Sequence, residues 1–263
     1  MIKMAQLLKF KGVQELRAHI PDLHSPARTT WIGILAIGTF GLTTIFFIFV
    51  KQYIPEWSLD GQVIIITLGF LLLRMFFTHK NAYMLRYGKL AYRNAFLRFV
   101  LPGLALVFAS VAHIGYMPGP TLPRLWWTSL FPIAGWYFVL LGATLWIRSI
   151  LAFGFDYLTM LYVYYPEKSH RVDNNIYAVI RHPVYAGVLR LSIGLALLNG
   201  NAFSLFFGLL LLPFGLTAWI RLVEERELIE RFGSGYAEYR KTTPAFWPRL
   251  RDLGKFFSFI LKG

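Results

Sequence analysis

Cysteine is missing from all 263 residues, which removes disulfides, thiol nucleophiles and Cys-ligated metals while leaving the compartment open. Charge is scarce: 15% of the residues are charged, against about a quarter in an ordinary soluble domain. Acids are scarcer still, 13 against 27 basic residues. The signatures of soluble nucleotide sites, serine hydrolases and zinc proteases are absent, with no Walker loop, no G-x-G-x-x-G after a strand, no G-x-S-x-G and no H-E-x-x-H. The six histidines (His19, His24, His79, His113, His170 and His182) are scattered, so no metal site is expected. No internal repeat or low-complexity tract stands out.

Apolar residues fill the space. Hydrophobic side chains make up 56% of the chain and aromatics 17%, and several windows approach the ~20 helical residues that cross a bilayer core. Spans are expected near 31–50, 62–77, 96–116 and 130–151, followed by a closely spaced pair at 184–198 and 202–220. The reading is an all-α, polytopic integral membrane protein of about six membrane helices, the last two forming a C-terminal helical hairpin next to a cytoplasmic catalytic region.

A net charge of +14 raises the question of nucleic acid, but its distribution answers it. Lys3, Lys9, Lys11, Arg17 and Arg28 precede the first span, and Lys80, Arg86, Lys89 and Arg93 occupy the second loop. Nine more basic residues follow from Arg221 onward. The intervening loops hold only Lys51 and Arg124, and the turn Asn199-Gly200-Asn201 holds none. This alternation follows the positive-inside rule, with both termini cytoplasmic and no nucleic-acid partner; the basic segments also suit anionic headgroups. Leu7, Leu8, Val13, Leu16 and Ile20, set against Lys9, Lys11 and Arg17, suggest a surface helix rather than a cleaved signal. Three regions are expected: an interfacial segment at 1–30, a four-helix transmembrane scaffold at 31–151, and a cofactor-binding catalytic region at 152–263 that contains the hairpin 184–220. The long connection 152–186, rich in Tyr, is of a length that is more often functional than idle.

Polar chemistry gathers around the hairpin. Pro183 suits a first helical position, and the Asn-Gly-Asn turn limits the first arm to Val184–Leu198, roughly 22 Å at 1.5 Å per residue, short of a core of about 30 Å. Arg181 and His182 stand just before this helix start, where free N–H groups favour an anion and a guanidinium can clamp a carboxylate. A headgroup anchor and a helix cap explain the same two residues. Glu224 and Glu225 follow the second arm. A regular helix puts Arg221, Glu225, Leu228 and Phe232 on one face, either as a functional stripe or as a solvated one. Tyr177, Tyr185, Tyr236, Tyr239 and Trp247 suit either base stacking or an interfacial belt. Arg190, two turns inside the apolar arm, is a functional candidate by its position, with Glu225 or Asp156 as partner, unless it snorkels.

The ordered set Asn175-Ile-Tyr177, Arg181-His-Pro-Val-Tyr-Ala-Gly187, Glu224-Glu225-x-x-Leu228-x-x-x-Phe232-Gly233-x-x-Tyr236-x-x-Tyr239 and Pro248 resembles the membrane methyltransferases of the isoprenylcysteine carboxyl methyltransferase and phospholipid methyltransferase superfamily. It covers about residues 165–248. The resemblance implies a methyltransferase that uses S-adenosylmethionine and acts on a lipophilic acceptor, with a carboxylate or amine headgroup, at the cytoplasmic membrane face. It places the cofactor on His170, Arg171, Val172, Tyr177, His182, Pro183, Val184, Tyr185 and an acid of the Glu224/Glu225 pair, with Arg221, Glu225 and Arg181 in catalytic roles and Arg221 towards the acceptor. A carboxylate acceptor needs no base, whereas an amine acceptor would call on Glu225 or His182. Asn175 stands where the family has Gly, and Asn tolerates a left-handed turn. The alternatives are a sterol-type membrane reductase using NADPH, which shares a related hairpin, and a non-enzymatic scaffold. Acceptor and oligomeric state stay open.

Overall fold

The computed structural model describes residues 11–123 and 125–262. Among them the regular structure is helical, with one isolated antiparallel bridge between Thr121 and Asn201. In chain order the helices are α1 (Val13–His19), α2 (Pro26–Tyr53), α3 (Ser58–Thr78), α4 (Lys80–His113), α5 (Phe131–Phe153), α6 (Phe155–Leu158), α7 (Leu161–Tyr164), α8 (Pro183–Asn199), α9 (Ala202–Phe232), α10 (Ser234–Thr242) and α11 (Leu253–Lys262). Five of them (α2, α3, α4, α5 and α9) are long and apolar enough to cross a membrane. The expected all-α polytopic architecture is present, with the short first arm of the hairpin, α8, as a sixth apolar helix. Leu7 and Leu8 of the expected surface helix lie outside the described residues, and α1 covers Val13 and Leu16.

Proline marks two of the irregular turns. The π turns Phe96–Val100 in α4 and Phe207–Leu211 in α9 each end two residues before a proline, Pro102 and Pro213. Proline has no N–H for the carbonyl four residues back, and its ring crowds that carbonyl, so the helix widens there. A third π turn, Ile220–Glu224, has no proline behind it and lies where the acid pair leaves the helix.

The chain divides into two compact units. The first holds α1–α4 with α6 and α7. There Arg93 grips Asp22 through two hydrogen bonds, Nε to Oδ2 at 2.7 Å and Nη2 to Oδ1 at 2.8 Å, the forked geometry that makes such pairs directional. Helices α3 and α4 cross at Gly69 and Gly103, where a Cβ on Gly103 would lie 3.0 Å from the Gly69 carbonyl. Buried Gln62 donates to the Ser110 carbonyl at 2.7 Å, and its side-chain oxygen sits 2.8 Å from His113 Nδ1.

The second unit holds α5 and α8–α11. Helix α8 runs antiparallel to α5 through two glycine pairs. A Cβ on Gly194 would come 2.7 Å from the Gly135 carbonyl, and one on Gly187 would come 2.7 Å from Trp146 Cβ and 2.8 Å from its backbone nitrogen. Gly142 and Gly135 face the same contacts from α5. On the side of α9, Gly208 lies where a Cβ would meet Ala196 Cβ at 2.7 Å. Close backbone approach of this kind is how helices associate where no hydrophobic drive separates them from lipid.

The hairpin tip is tied down rather than free. Gly200 takes φ 69° to end α8, and the Asn201 side chain accepts from Ser204 N to cap α9. Asn199 Nδ2 donates to the Ile114 and Met117 carbonyls at 2.8 and 2.9 Å, and Asn201 Nδ2 donates to Met117 at 2.6 Å. Pro183 occupies the first turn of α8, as its position in the sequence implies. The arm has 17 residues, roughly 26 Å at 1.5 Å per residue, and is still shorter than a bilayer core of about 30 Å.

The glycine seam is testable. Gly187→Ala forces a backbone shift against Trp146 and is expected to cost about 1–3 kcal/mol, read as a lower Tm in detergent. Gly38→Ala on α2, where a Cβ meets nothing within 4 Å, is expected to leave the Tm unchanged.

Candidate functional site

The candidate residues meet in the second unit, where the start of α8, the exit of α9 and the segment after α10 come together. The backbone sets the frame. Four successive carbonyls, from Thr243 to Phe246, are all taken, three by groups at the start of α8 and one by Arg190 two turns further on. Arg181 Nη1 donates to Thr243, Arg181 N to Pro244 at 2.9 Å, His182 N to Ala245 at 3.1 Å, and Arg190 Nη2 to Phe246 at 3.2 Å. The segment 243–246 is a strap that fixes Arg181 and His182 from the backbone outward.

Glu225 lies at the centre with no exposed surface. Arg181 Nε donates to its Oε1 at 2.7 Å, His182 Nε2 lies 3.2 Å from the same oxygen, and Arg240 Nε pairs with Oε2 at 3.0 Å. His182 also faces Glu224, with Nδ1 3.5 Å from its Oε1. A neutral imidazole has one N–H, so two carboxylates on its two nitrogens select the imidazolium form. Burial pushes the His182 pKa down, but hydrogen bonds with Glu224 and Glu225 and the charges of both acids outweigh it, and the net direction is up.

Glu224 is partly exposed, its side chain at 24%, and it holds the Tyr185 hydroxyl, which in turn accepts from Trp219 Nε1 at 3.2 Å. Tyr239 donates its hydroxyl to the Tyr177 carbonyl at 2.5 Å. Tyr236 is buried beside the acids, and its hydroxyl has no hydrogen-bond partner among the described residues; burial, followed by the nearby Glu225 and Glu224 charges, drives its pKa up.

The structure thus brings together Arg181, His182, Pro183, Val184, Tyr185, Glu224 and Glu225, with Tyr177 joined through Tyr239. Asn175 takes φ 53° in the turn before Tyr177, the left-handed conformation that lets Asn stand for Gly. His170 and Arg171 are exposed and Val172 is half-buried. Arg171 donates to the Gly235 carbonyl at 2.6 Å and grips Asp173, so this stretch is pinned to the turn before α10. Arg221 is exposed and without an ion pair among the described residues, while Glu225, four residues on across the π turn Ile220–Glu224, is buried.

Arg190 has no ion pair among the described residues, so the acid expected beside it is not found there. It is 1% exposed and is held by the Ala186 and Phe246 carbonyls and by the faces of Trp247 and Phe256, at 4.2 and 5.4 Å from the ring centroids. Cation–π contact in a dry setting replaces the acid. Arg240, Trp219 and the strap were not singled out by sequence reasoning. Arg240 sits 15 residues beyond Glu225 in a basic tail, and its only signal is four residues' spacing from the buried Tyr236.

Residues 130–235 match the family described as phospholipid methyltransferase. The chain is similar to protein-S-isoprenylcysteine O-methyltransferase B of Arabidopsis thaliana, 28% identical over 155 residues that span 57% of this chain and 73% of that protein. It is also similar to protein-S-isoprenylcysteine O-methyltransferase of Schizosaccharomyces pombe, 38% identical over 78 residues, 29% of this chain and 32% of the relative. The A form from Arabidopsis thaliana is 26% identical over 134 residues, 49% of this chain and 64% of the relative. No solved structure matches the chain significantly.

Two outcomes follow from the buried acid and its histidine. Glu225→Ala strands Arg181, His182 and Arg240, and is expected to cost about 3–5 kcal/mol in unfolding experiments. The raised His182 pKa stabilises the fold in full below the usual value near 6.5, and that stabilisation is lost as pH rises through the raised value. The Tm gap between the wild type and His182→Gln, measured without cofactor, is therefore expected to narrow with rising pH. A constant gap would show that His182 holds no extra proton.

Proposed function

We propose that the chain is a member of the integral membrane superfamily of isoprenylcysteine carboxyl and phospholipid methyltransferases, which its family match and its relatives support, and that it transfers a methyl group from S-adenosylmethionine to the carboxylate of a lipophilic acceptor at the cytoplasmic face of a membrane. The observation that carries the reading is the lattice of Arg181, His182, Glu224 and Glu225 at the start of α8, inside the segment that matches the family and its relatives.

The residues present fit the cofactor. Its carboxylate suits the first-turn N–H groups of Val184 and Tyr185, which have no intrahelical acceptor. Its ammonium or ribose suits Glu224, the partly exposed acid of the pair. The buried Tyr236 hydroxyl, without a partner beside the acids, is a donor that a polar ligand there would satisfy. His170, Arg171, Val172 and Tyr177 belong to the same cradle, with Arg171 fastening it to the turn before α10. When bound, the cofactor supplies the methyl group as an electrophilic sulfonium.

The protein's part is alignment and exclusion of water. Arg181, with Nε on Glu225 and Nη1 on the strap, acts in this reading by holding the acid and the helix start in place. Glu225, buried under three cationic groups, is a poor proton acceptor, and a doubly bonded imidazolium has no lone pair to offer. Neither is suited to deprotonate an amine, which favours an acceptor that is already ionised and needs no base. The relatives' names, isoprenylcysteine O-methyltransferases, agree in class. Arg221, exposed and without an acid, is then the cation that meets the acceptor carboxylate. The alternation of basic loops supports both termini on the cytoplasmic side.

Equilibrium binding of labelled S-adenosylmethionine to purified protein is expected, together with methyl transfer to a component of a native lipid extract and loss of both in His182→Ala. Binding of NADPH instead would overturn the proposal in favour of a reductase. With a prenylated carboxylate acceptor, Arg221→Met is expected to raise KM by about 10–100-fold, the loss of one charge-assisted hydrogen bond, and to leave cofactor binding unchanged.

A further inference from the structure

Helix α11 has three faces, and only two are accounted for by protein and water. At about 100° per residue, Phe256, Phe259 and Ile260 form one side, and all three are buried against the second unit. Lys255, Ser258 and Lys262 form a second, exposed side. Leu253, Phe257 and Leu261 form the third, and all are exposed, Leu261 at 75%. The centres of the three sides lie roughly 120° apart. Leu250, one turn earlier, extends the apolar stripe at 87% exposure.

The helix is held in place by polar contacts from the protein. Arg148 Nη1 donates to the Phe259 carbonyl at 2.6 Å and Nη2 to the Leu261 carbonyl at 3.3 Å, so a cation caps the end of α11. At its other end Phe256 lies under Arg190, the same guanidinium that stacks on Trp247 and holds the strap at Phe246. Around the stripe the exposed charges are of one sign: Arg249, Arg251, Lys255 and Lys262, against the single acid Asp252, which Arg251 approaches at 3.8 Å.

We propose that α11 is an interfacial helix, with Leu250, Leu253, Phe257 and Leu261 sunk among the acyl chains of a bilayer leaflet and with Arg249, Arg251, Lys255 and Lys262 on its anionic headgroups. A stripe of large apolar residues next to a basic face is the pattern of a helix lying in the plane of a membrane surface, and long basic side chains reach headgroups from below. Anionic lipid, rather than a neutral surface, is favoured because each such residue gains from negative surface potential. Through Phe256 and Arg190, the lipid surface then bears on the strap that positions Arg181 and His182.

The chain has no cysteine, so one introduced cysteine gives one spin label. Full-length protein carrying Leu253→Cys, Phe257→Cys, Leu261→Cys, Lys255→Cys or Ser258→Cys would be labelled in nanodiscs of phosphatidylcholine and phosphatidylglycerol. Labels at 253, 257 and 261 are expected to collide several-fold more often with oxygen than with a water-soluble nickel chelate, and those at 255 and 258 the reverse. Omitting phosphatidylglycerol, or adding Lys255→Glu with Lys262→Glu, is expected to move the Phe257→Cys label towards nickel. Equal nickel access on all faces would overturn the proposal. So would spin–spin broadening that disappears on dilution with unlabelled protein, which would assign the stripe to a second copy of the chain. Insensitivity to phosphatidylglycerol would overturn the choice of anionic lipid. No readout depends on methyl transfer, so the result stands apart from the proposed reaction.

Discussion

A carboxylate without exposed surface cannot stay ionised unless cations and donors surround it, and Glu225 imposes this demand on the second unit. Arg181, His182 and Arg240 converge on it from two different stretches of chain. An ion cluster of this kind recovers little net stability, because the cost of drying several charges offsets most of their attraction. What it does fix is geometry: removing any member leaves the others stranded, so the helix start, the helix exit and the basic end of α10 are held to one arrangement. A cofactor cradle needs that kind of constraint, since alignment of reacting groups supplies much of the rate in a displacement with no proton to move.

Acid and cation on neighbouring turns do different things at the π turn Ile220–Glu224. Arg221 and Glu225 are four apart, the spacing of an intrahelical ion pair, yet Arg221 is exposed and Glu225 is held by Arg181 and His182. The two other π turns have a proline to account for them; this one does not, and π turns without a local steric cause gather at functional sites.

The features with a local chemical cause were legible in the sequence. The apolar windows, the proline at the start of α8, the Asn-Gly-Asn turn and the left-handed Asn175 all follow from single-residue preferences, and the structure has each of them. The pairing of Arg181 and His182 with the acids could be placed in one neighbourhood by the spacing of the motif. The spacing could not say which acid would be buried, because that depends on the cations that distant stretches of chain bring to it. Arg190 shows the same limit. A charge inside an apolar arm calls for a partner, and acids are the obvious candidates, but one strap carbonyl 56 residues away, a carbonyl of α8 itself and two aromatic faces fill the role. Such partners carry no sequence signal, since every residue has a carbonyl and the chain is rich in aromatics.

The short arm and the buried charges are two sides of one arrangement. At roughly 26 Å, α8 is shorter than an average bilayer core, so either the hairpin turns inside the membrane or its polar start lies below the surface. The tip is held, by Asn199 and Asn201 on the Met117 carbonyl, and the glycine seams fix α8 against sliding along α5 and α9. In either arrangement an unpaired Arg-His pair next to apolar helices would be costly, and here the acids and the strap carbonyls take the place of solvent around it. The lattice can form because the tip and the seams leave α8 one position, in which its start meets the exit of α9 and the strap.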